Sequence, residues 1–127
     1  MDEKIHPQIL VVEDEKLLSQ ALEYKLKIAD YRVLIAKNGV EGLKLAMKHK
    51  PDLILLDLIM PKMNGVDMLN QLRQDTWGKT VPVLIFTNDI NPESMSSTLK
   101  DNALDYLIKS DWDLENILQK IKSKLKN

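Results

Sequence analysis

The sequence predicts an α/β fold: a doubly wound, five-stranded parallel sheet with helices on both faces. Three observations carry that expectation. Apolar bursts alternate with amphipathic stretches five times along 127 residues. The links between them are short. Two bursts, Ile9-Leu10-Val11-Val12 and Leu53-Ile54-Leu55-Leu56, are apolar without interruption, which marks strands buried on both faces. Strands alternating with helices over short links imply right-handed crossovers between parallel strands.

Taken in order, the first strand is Ile9 to Val12. Glu15 to Ile28 follows as a helix, with Leu18, Ala21, Leu22 and Leu26 spaced for one inward face. Val33-Leu34-Ile35 is the second strand, placed nearer an edge by the flanking Tyr31-Arg32. Asn38 can cap a second helix that turns Val40, Leu43 and Met47 inward and ends before Pro51. The third strand, Leu53 to Leu56, runs into Asp57. Met60-Pro61 and Asn64-Gly65 then bend the chain before a third helix carrying Val66, Leu69 and Leu72. Asp75 to Lys79 is a loop. Val81 to Phe86 is the fourth strand, with Pro82 near its start, where a missing donor does little harm. A fourth helix over Pro92–Leu99 has few apolar positions, mainly Met95 and Leu99. Tyr106-Leu107-Ile108 is the fifth strand. From Asp111 on, Leu114, Ile117, Leu118, Ile121 and Leu125 make the cleanest helical stripe in the chain.

Composition narrows the function. The length fits one domain, residues 1–127, with room for a core. Eighteen basic and 19 acidic residues leave a net charge of −1, a balance that argues against nucleic acid as a direct partner, because phosphate binding needs a basic patch. No cysteine is present, so neither a disulfide nor a thiolate metal site can form. With only His6 and His49 available, zinc or copper sites are equally unsupported. Met1-Asp2-Glu3-Lys4 lacks the apolar core of a signal peptide, and no apolar run approaches the ~20 residues needed to span a bilayer. A cytoplasmic domain with no membrane contact is the expectation.

The chemistry follows the strands. Glu13-Asp14 come after the first, Asp57 after the third, Thr87 after the fourth and Lys109 after the fifth. In a parallel sheet these residues emerge along the carboxyl edge, where open α/β sheets bind ligands. Taken alone, Asp57 is as readily a helix cap or turn residue as a reactive carboxylate. Together, three carboxylates, a hydroxyl and an amine would share one cleft. Crowded carboxylates repel unless a cation neutralises them, and a hard divalent ion such as Mg²⁺ suits oxygen ligands. A carboxylate beside Mg²⁺ and an ammonium is equipped to attack phosphorus and become an acyl phosphate, with Lys109 and Thr87 stabilising the transferring group.

These residues, in this order and spacing, resemble the receiver domains of two-component response regulators, the single-domain CheY-like kind included. The resemblance runs from about residue 7 to 126 and rests on Glu13-Asp14, on Asp57-Leu58-Ile59-Met60-Pro61-Lys62-Met63-Asn64-Gly65, on Thr87 after Phe86, and on Asp105-Tyr106-Leu107-Ile108-Lys109. It implies a flavodoxin-like (βα)5 fold with sheet order 2-1-3-4-5. It also implies Asp57 as the phosphoacceptor, and Mg²⁺ held by Asp14, Asp57 and the main-chain carbonyl of Ile59, with Glu13 acting through water. Thr87 and Tyr106 would form a switch pair, and Lys109 would pair with the phosphoryl group. The implied partners are a histidine kinase or phosphotransfer protein and a downstream protein that binds the face made by the fourth helix, fifth strand and fifth helix. The side chains two positions beyond Asp57 and Thr87, here Ile59 and Asp89, would flank the path of a hydrolytic water. Such a domain is a signalling phosphoprotein that catalyses only its own phosphorylation and dephosphorylation.

Three positions depart from the family pattern. Asn88 stands where a small residue is usual, Ser110 where Lys109 is usually followed by proline, and Asn102-Ala103 where Gly-Ala is usual. Asn tolerates a left-handed conformation, so the last change is mild. A cis bond before the non-proline Ser110 would cost ~2.5–4 kcal/mol, so a trans bond is expected.

Other functions fit less well. A degenerate receiver acting as a phosphorylation-independent interaction module would not need five intact site residues. An aspartyl phosphatase typically shows Asp-x-Asp, and Ile59 occupies the second acidic position. A flavin domain of this architecture needs a phosphate-cradling loop after the first strand, where Glu13-Asp14-Glu15 would repel phosphate.

Overall fold

Alternate residues of each central strand divide between two cores. Leu10, Val12, Ile54, Leu56, Val83 and Ile85 are buried in one cluster, whereas Ile9, Val11, Leu53, Leu55, Leu84 and Phe86 are buried in the other. The period of two along a strand produces this division. It also explains why the strand sequences are apolar without interruption: both faces are covered.

The computed structural model describes residues 6–57, 65–87, 105–108 and 113–125, with Thr87 and 105–108 described by backbone alone. The elements are β1 (Gln8–Val12), α1 (Lys16–Ile28), β2 (Arg32–Ala36), α2 (Gly39–His49), β3 (Leu53–Leu56), α3 (Gly65–Gln74), β4 (Val83–Thr87), β5 (Asp105–Ile108) and a C-terminal helix (Leu114–Leu125). The strands form one sheet in the order β2-β1-β3-β4-β5, and every described pairing is parallel. Ala46 of α2 and Met68, Leu69 and Leu72 of α3 close the first core. Leu22 and Leu26 of α1 and Ile117, Leu118 and Ile121 of the C-terminal helix close the second. This is the parallel α/β architecture expected. The helix expected over 92–99 and the Lys109–Ser110 bond lie outside the described residues.

Local signals set the ends of the helices. The Asn38 side chain accepts from the Glu41 N–H at 2.9 Å, capping α2. Lys50 closes that helix in the left-handed region (φ 49°), and Asp30 does the same after α1 (φ 70°). Asp113 caps the C-terminal helix by accepting from the Asn116 N–H at 2.8 Å.

Two expected inward faces need correction. In α2 the fully buried line is Gly39, Gly42 and Ala46, while Val40 is 38% exposed. A Cβ on Gly42 would lie 3.0 Å from both methyls of Val12 and 3.1 Å from the Met68 sulfur. The helix therefore approaches β1 closely on small residues, and Leu43 and Met47 pack at the flanks. In α1 the buried residues are Ser19, Leu22 and Leu26, with Leu18 packed against the same core as expected; Ala21 is only half-buried.

Candidate functional site

The strand register brings the acidic residues together. Val12 of β1 lies opposite Leu56 of β3, so Glu13 and Asp57, each one residue further on, leave the sheet side by side. Both are anchored by their main chains: the Glu13 N–H donates to the Ala36 carbonyl at 2.9 Å, and the Asp57 N–H donates to the Val12 carbonyl at 3.0 Å. The carboxylates of Glu13, Asp14 and Asp57 each offer an oxygen, and these oxygens lie within 4.8 Å of one another. Glu13 is 3% exposed and Asp57 6%, while Asp14 is open to solvent. The Glu15 N–H donates to Glu13 Oε2 at 3.1 Å, holding that side chain at the strand end.

Two buried carboxylates and one exposed carboxylate this close repel each other at low dielectric. An oxygen-seeking divalent cation, reached from the solvent side past Asp14, relieves that repulsion and fits the donor set. The three acidic residues expected at one site are therefore assembled there.

The remaining expected positions are placed in part. Leu56 pairs with Ile85 and Thr87 with Ile108, so the Thr87 backbone ends β4 at the carboxyl edge, one residue beyond the level of Asp57. The Tyr106 backbone pairs with Ile85. Ile59, Asp89 and Lys109 lie outside the described residues.

A cavity of about 460 Å³ adjoins the acidic group, lined by Glu13, Asp14, Lys16, Ser19, Ile35 and Lys37 among others. Lys16 and Lys37 were not singled out from the sequence. For Lys37 a signal existed: it follows the last residue of β2, so the carboxyl-edge rule that located Asp57 applies to it as well.

Comparison with known proteins agrees with this geometry. The family described as "Response regulator receiver domain" matches residues 9–122. The response regulator ArlR of Staphylococcus saprophyticus is 36% identical over 94% of this chain and 52% of its own length. RpaA of Synechocystis, named a DNA-binding dual master transcriptional regulator, is 33% identical over 94% of this chain and 49% of its own. The chain thus spans about half the length of these relatives. RpaA's name also removes support for the expectation that nucleic acid is not a direct partner. Among solved structures, a CheY-like receiver domain protein from Methanospirillum hungatei JF-1 superposes with a TM-score of 0.87 at 26% identity, covering 94% of each chain. No helix among the described residues is long and apolar enough to cross a membrane.

Proposed function

The chain belongs to the response regulator receiver domain family, and we propose that its single domain, residues 1–127, accepts a phosphoryl group on Asp57 from a phosphohistidine protein. The observation that carries this reading is the convergence of the Glu13, Asp14 and Asp57 oxygens within 4.8 Å at the carboxyl edge of the sheet. A carboxylate oxygen of Asp57 attacks phosphorus. The new O–P bond forms as the P–N bond to the donor imidazole breaks, and the departing nitrogen keeps the electron pair. Burial of Asp57 and the tether of its main chain to Val12 support this reading, because they hold the backbone of the proposed nucleophile at the strand end.

Asp14, Asp57 and the Ile59 carbonyl would hold Mg²⁺, with Glu13 reaching it through water. When bound, the ion would supply positive charge that offsets the crowded carboxylates and stabilises the transferring phosphoryl group. Lys109 is assigned to pair with the phosphoryl group, and Thr87 to donate its hydroxyl to one of that group's oxygens. Tyr106 would follow Thr87 and alter the face that includes β5, the C-terminal helix and the helix expected over 92–99, where a protein target would bind. A histidine kinase or phosphotransfer protein is the donor, and the cytoplasm, where such donors present their phosphohistidine, is the compartment.

The test is labelling with acetyl phosphate in Mg²⁺, read by intact mass. The wild-type chain should gain one phosphoryl group, and Asp57→Asn should gain none while retaining its circular dichroism. Equal labelling of Asp57→Asn would place the nucleophile elsewhere.

A further inference from the structure

The cavity that adjoins the acidic group carries basic residues as well. Glu13, Asp14, Lys16 and Lys37 all line its volume of about 460 Å³. Lys37 arrives there by strand register. Val12 lies opposite Ala36, and the Glu13 N–H donates to the Ala36 carbonyl at 2.9 Å, so Lys37 leaves β2 level with Glu13. Lys16 arrives as the first residue of α1. Both lysines are exposed. Among the described residues neither forms an ion pair, whereas Lys25 and Lys27 of α1 both do. Glu23 also lines the cavity, but Lys27 already meets its charge at 3.1 Å.

The place of Lys16 runs against local preference. The N-terminal end of a helix carries partial positive charge and favours acidic side chains, yet the first turn of α1 holds none. The Ser19 hydroxyl donates to the Lys16 carbonyl at 3.0 Å, which ties down the main chain of that turn but leaves the ammonium unmatched. A local rule broken beside a site, with no ion pair to offset it, marks a residue placed for another task.

We propose that Lys16 and Lys37 are fixed counter-charges that weaken the hold of Glu13, Asp14 and Asp57 on a divalent cation. The inference rests on the metal reading of that cluster and adds what sets its affinity. A lysine in contact with a carboxylate would compete for its oxygens directly. A lysine held across the cavity acts instead by repelling the incoming cation. A sphere of the cavity's volume is about 10 Å across, roughly one Debye length at 0.1 M salt. The repulsion is therefore felt in dilute salt and screened in concentrated salt. Two positive charges beside three negative ones leave the ion loosely held and free to exchange with solution. The lysines are less suited to receive an anion, because Glu13, Asp14 and Glu23 line the same cavity and would repel it.

The test is a Mg²⁺ titration of the whole chain, followed by NMR shifts of Glu13 and Asp14 at low and high salt. In ~10 mM salt Lys16→Gln and Lys37→Gln should each bind Mg²⁺ roughly two- to threefold more tightly than the wild type, and the double variant about five- to tenfold, as single charges ~10 Å from a divalent ion require. Lys37→Arg keeps the charge and should bind as the wild type does. Lys79→Gln, exposed in the loop before β4 and so at the opposite edge of the sheet, should change nothing. In ~1 M salt, where the Debye length is ~3 Å, the differences should vanish. Equal or weaker binding by the double variant at low salt would overturn the proposal. So would tightening shared by Lys37→Arg, or tightening that survives 1 M salt, since neither comes from charge. A response of Lys16 and Lys37 signals to inorganic phosphate without Mg²⁺ would assign them to an anion instead. A wild-type chain that ignores Mg²⁺ would overturn this inference and the metal assignment together. The titration uses no phosphoryl donor, so it decides the role of the lysines whether or not Asp57 accepts a phosphoryl group.

Discussion

The main-chain N–H of Asp57 is hydrogen-bonded to the carbonyl of Val12 at 3.0 Å, which ties the proposed nucleophile to the residue immediately before the acidic pair. Val12 is itself fully buried, so the distance between the carboxylate-bearing strand ends is set by sheet pairing. Side-chain packing against Val12 should therefore be felt at the site.

Metal binding is the most direct consequence. Mg²⁺ should shift NMR signals of Glu13, Asp14 and Asp57, and Asp14→Asn should weaken binding at least several-fold by removing the exposed carboxylate. Zinc should bind poorly for want of thiolate or imidazole ligands. A Mg²⁺ titration that is the same in Asp14→Asn would show that the cluster does not hold the ion.

Gly42 offers a test of the packing behind the site. Replacing it with Ala adds a Cβ 3.0 Å from the Val12 methyls but also gains up to ~1 kcal/mol of helix propensity. The two effects nearly offset, and Gly42→Ala should be close to neutral. Gly42→Leu adds volume that no propensity gain can balance, and should destabilise by about 1–3 kcal/mol. Chemical denaturation measures both; an unaffected Gly42→Leu would mean α2 can lift off β1 at little cost.

Much of this molecule was legible in its sequence because burial leaves a plain mark. The doubly apolar strands predicted a sheet covered on both sides, and the residue following each strand predicted the shared edge. On α2 bulk is a poor guide to burial, because close approach to Val12 selects glycine at position 42. Lys37 follows β2, an edge strand of the sheet, and a lysine after an edge strand is also the ordinary mark of a solvent-facing turn.

Arg73 fastens the entry to β4. Its Nη1 donates to the carbonyls of Gly78 and Val81, each at 2.7 Å, and burial lowers its pKa from the ordinary guanidinium value. Gly78 is required where it stands, because a Cβ there would meet the Leu72 carbonyl oxygen at 2.0 Å. Arg73→Met keeps the stem and leaves both carbonyls without this donor, so it should cost roughly 1–3 kcal/mol. A denaturation midpoint equal to the wild type would show that water replaces the guanidinium without penalty.

The contact between α1 and the C-terminal helix should be acid-sensitive. Hydrogen bonds from Lys25 and Gln119, with the charge of Lys25, hold the Glu115 carboxyl below its usual range. A depressed carboxyl pKa stabilises the fold above the unfolded value, and that contribution is lost as pH falls through the folded value. Glu115 is solvent-exposed, its side chain 56% accessible, so the effect is small and salt-screened. Glu115→Gln should lower the melting temperature slightly at neutral pH and low salt, and the difference should vanish in acid. A difference that persists below the carboxylate range would exclude this ion pair as its origin.

The lifetime of the phosphorylated state should depend on Ile59. Hydrolysis needs a water aligned behind phosphorus, opposite the bond to Asp57. The receiver resemblance puts the side chains two beyond Asp57 and two beyond Thr87, Ile59 and Asp89, beside that path. A branched apolar side chain offers a water no hydrogen bond and covers the phosphoryl group. Asp89 can orient a water, yet its charge opposes further negative charge nearby. Ile59 is only two residues from the nucleophile in the sequence, so its steric and desolvating effect should dominate. Ile59→Asn should speed phosphoryl loss by about tenfold, the change expected when a single ~1.4 kcal/mol contribution to the barrier is removed, and Asp89→Ala should change it less. Single-turnover decay in Mg²⁺ measures both rates. Decay of Ile59→Asn that is unchanged or slower would mean that this side chain does not guard the water's approach.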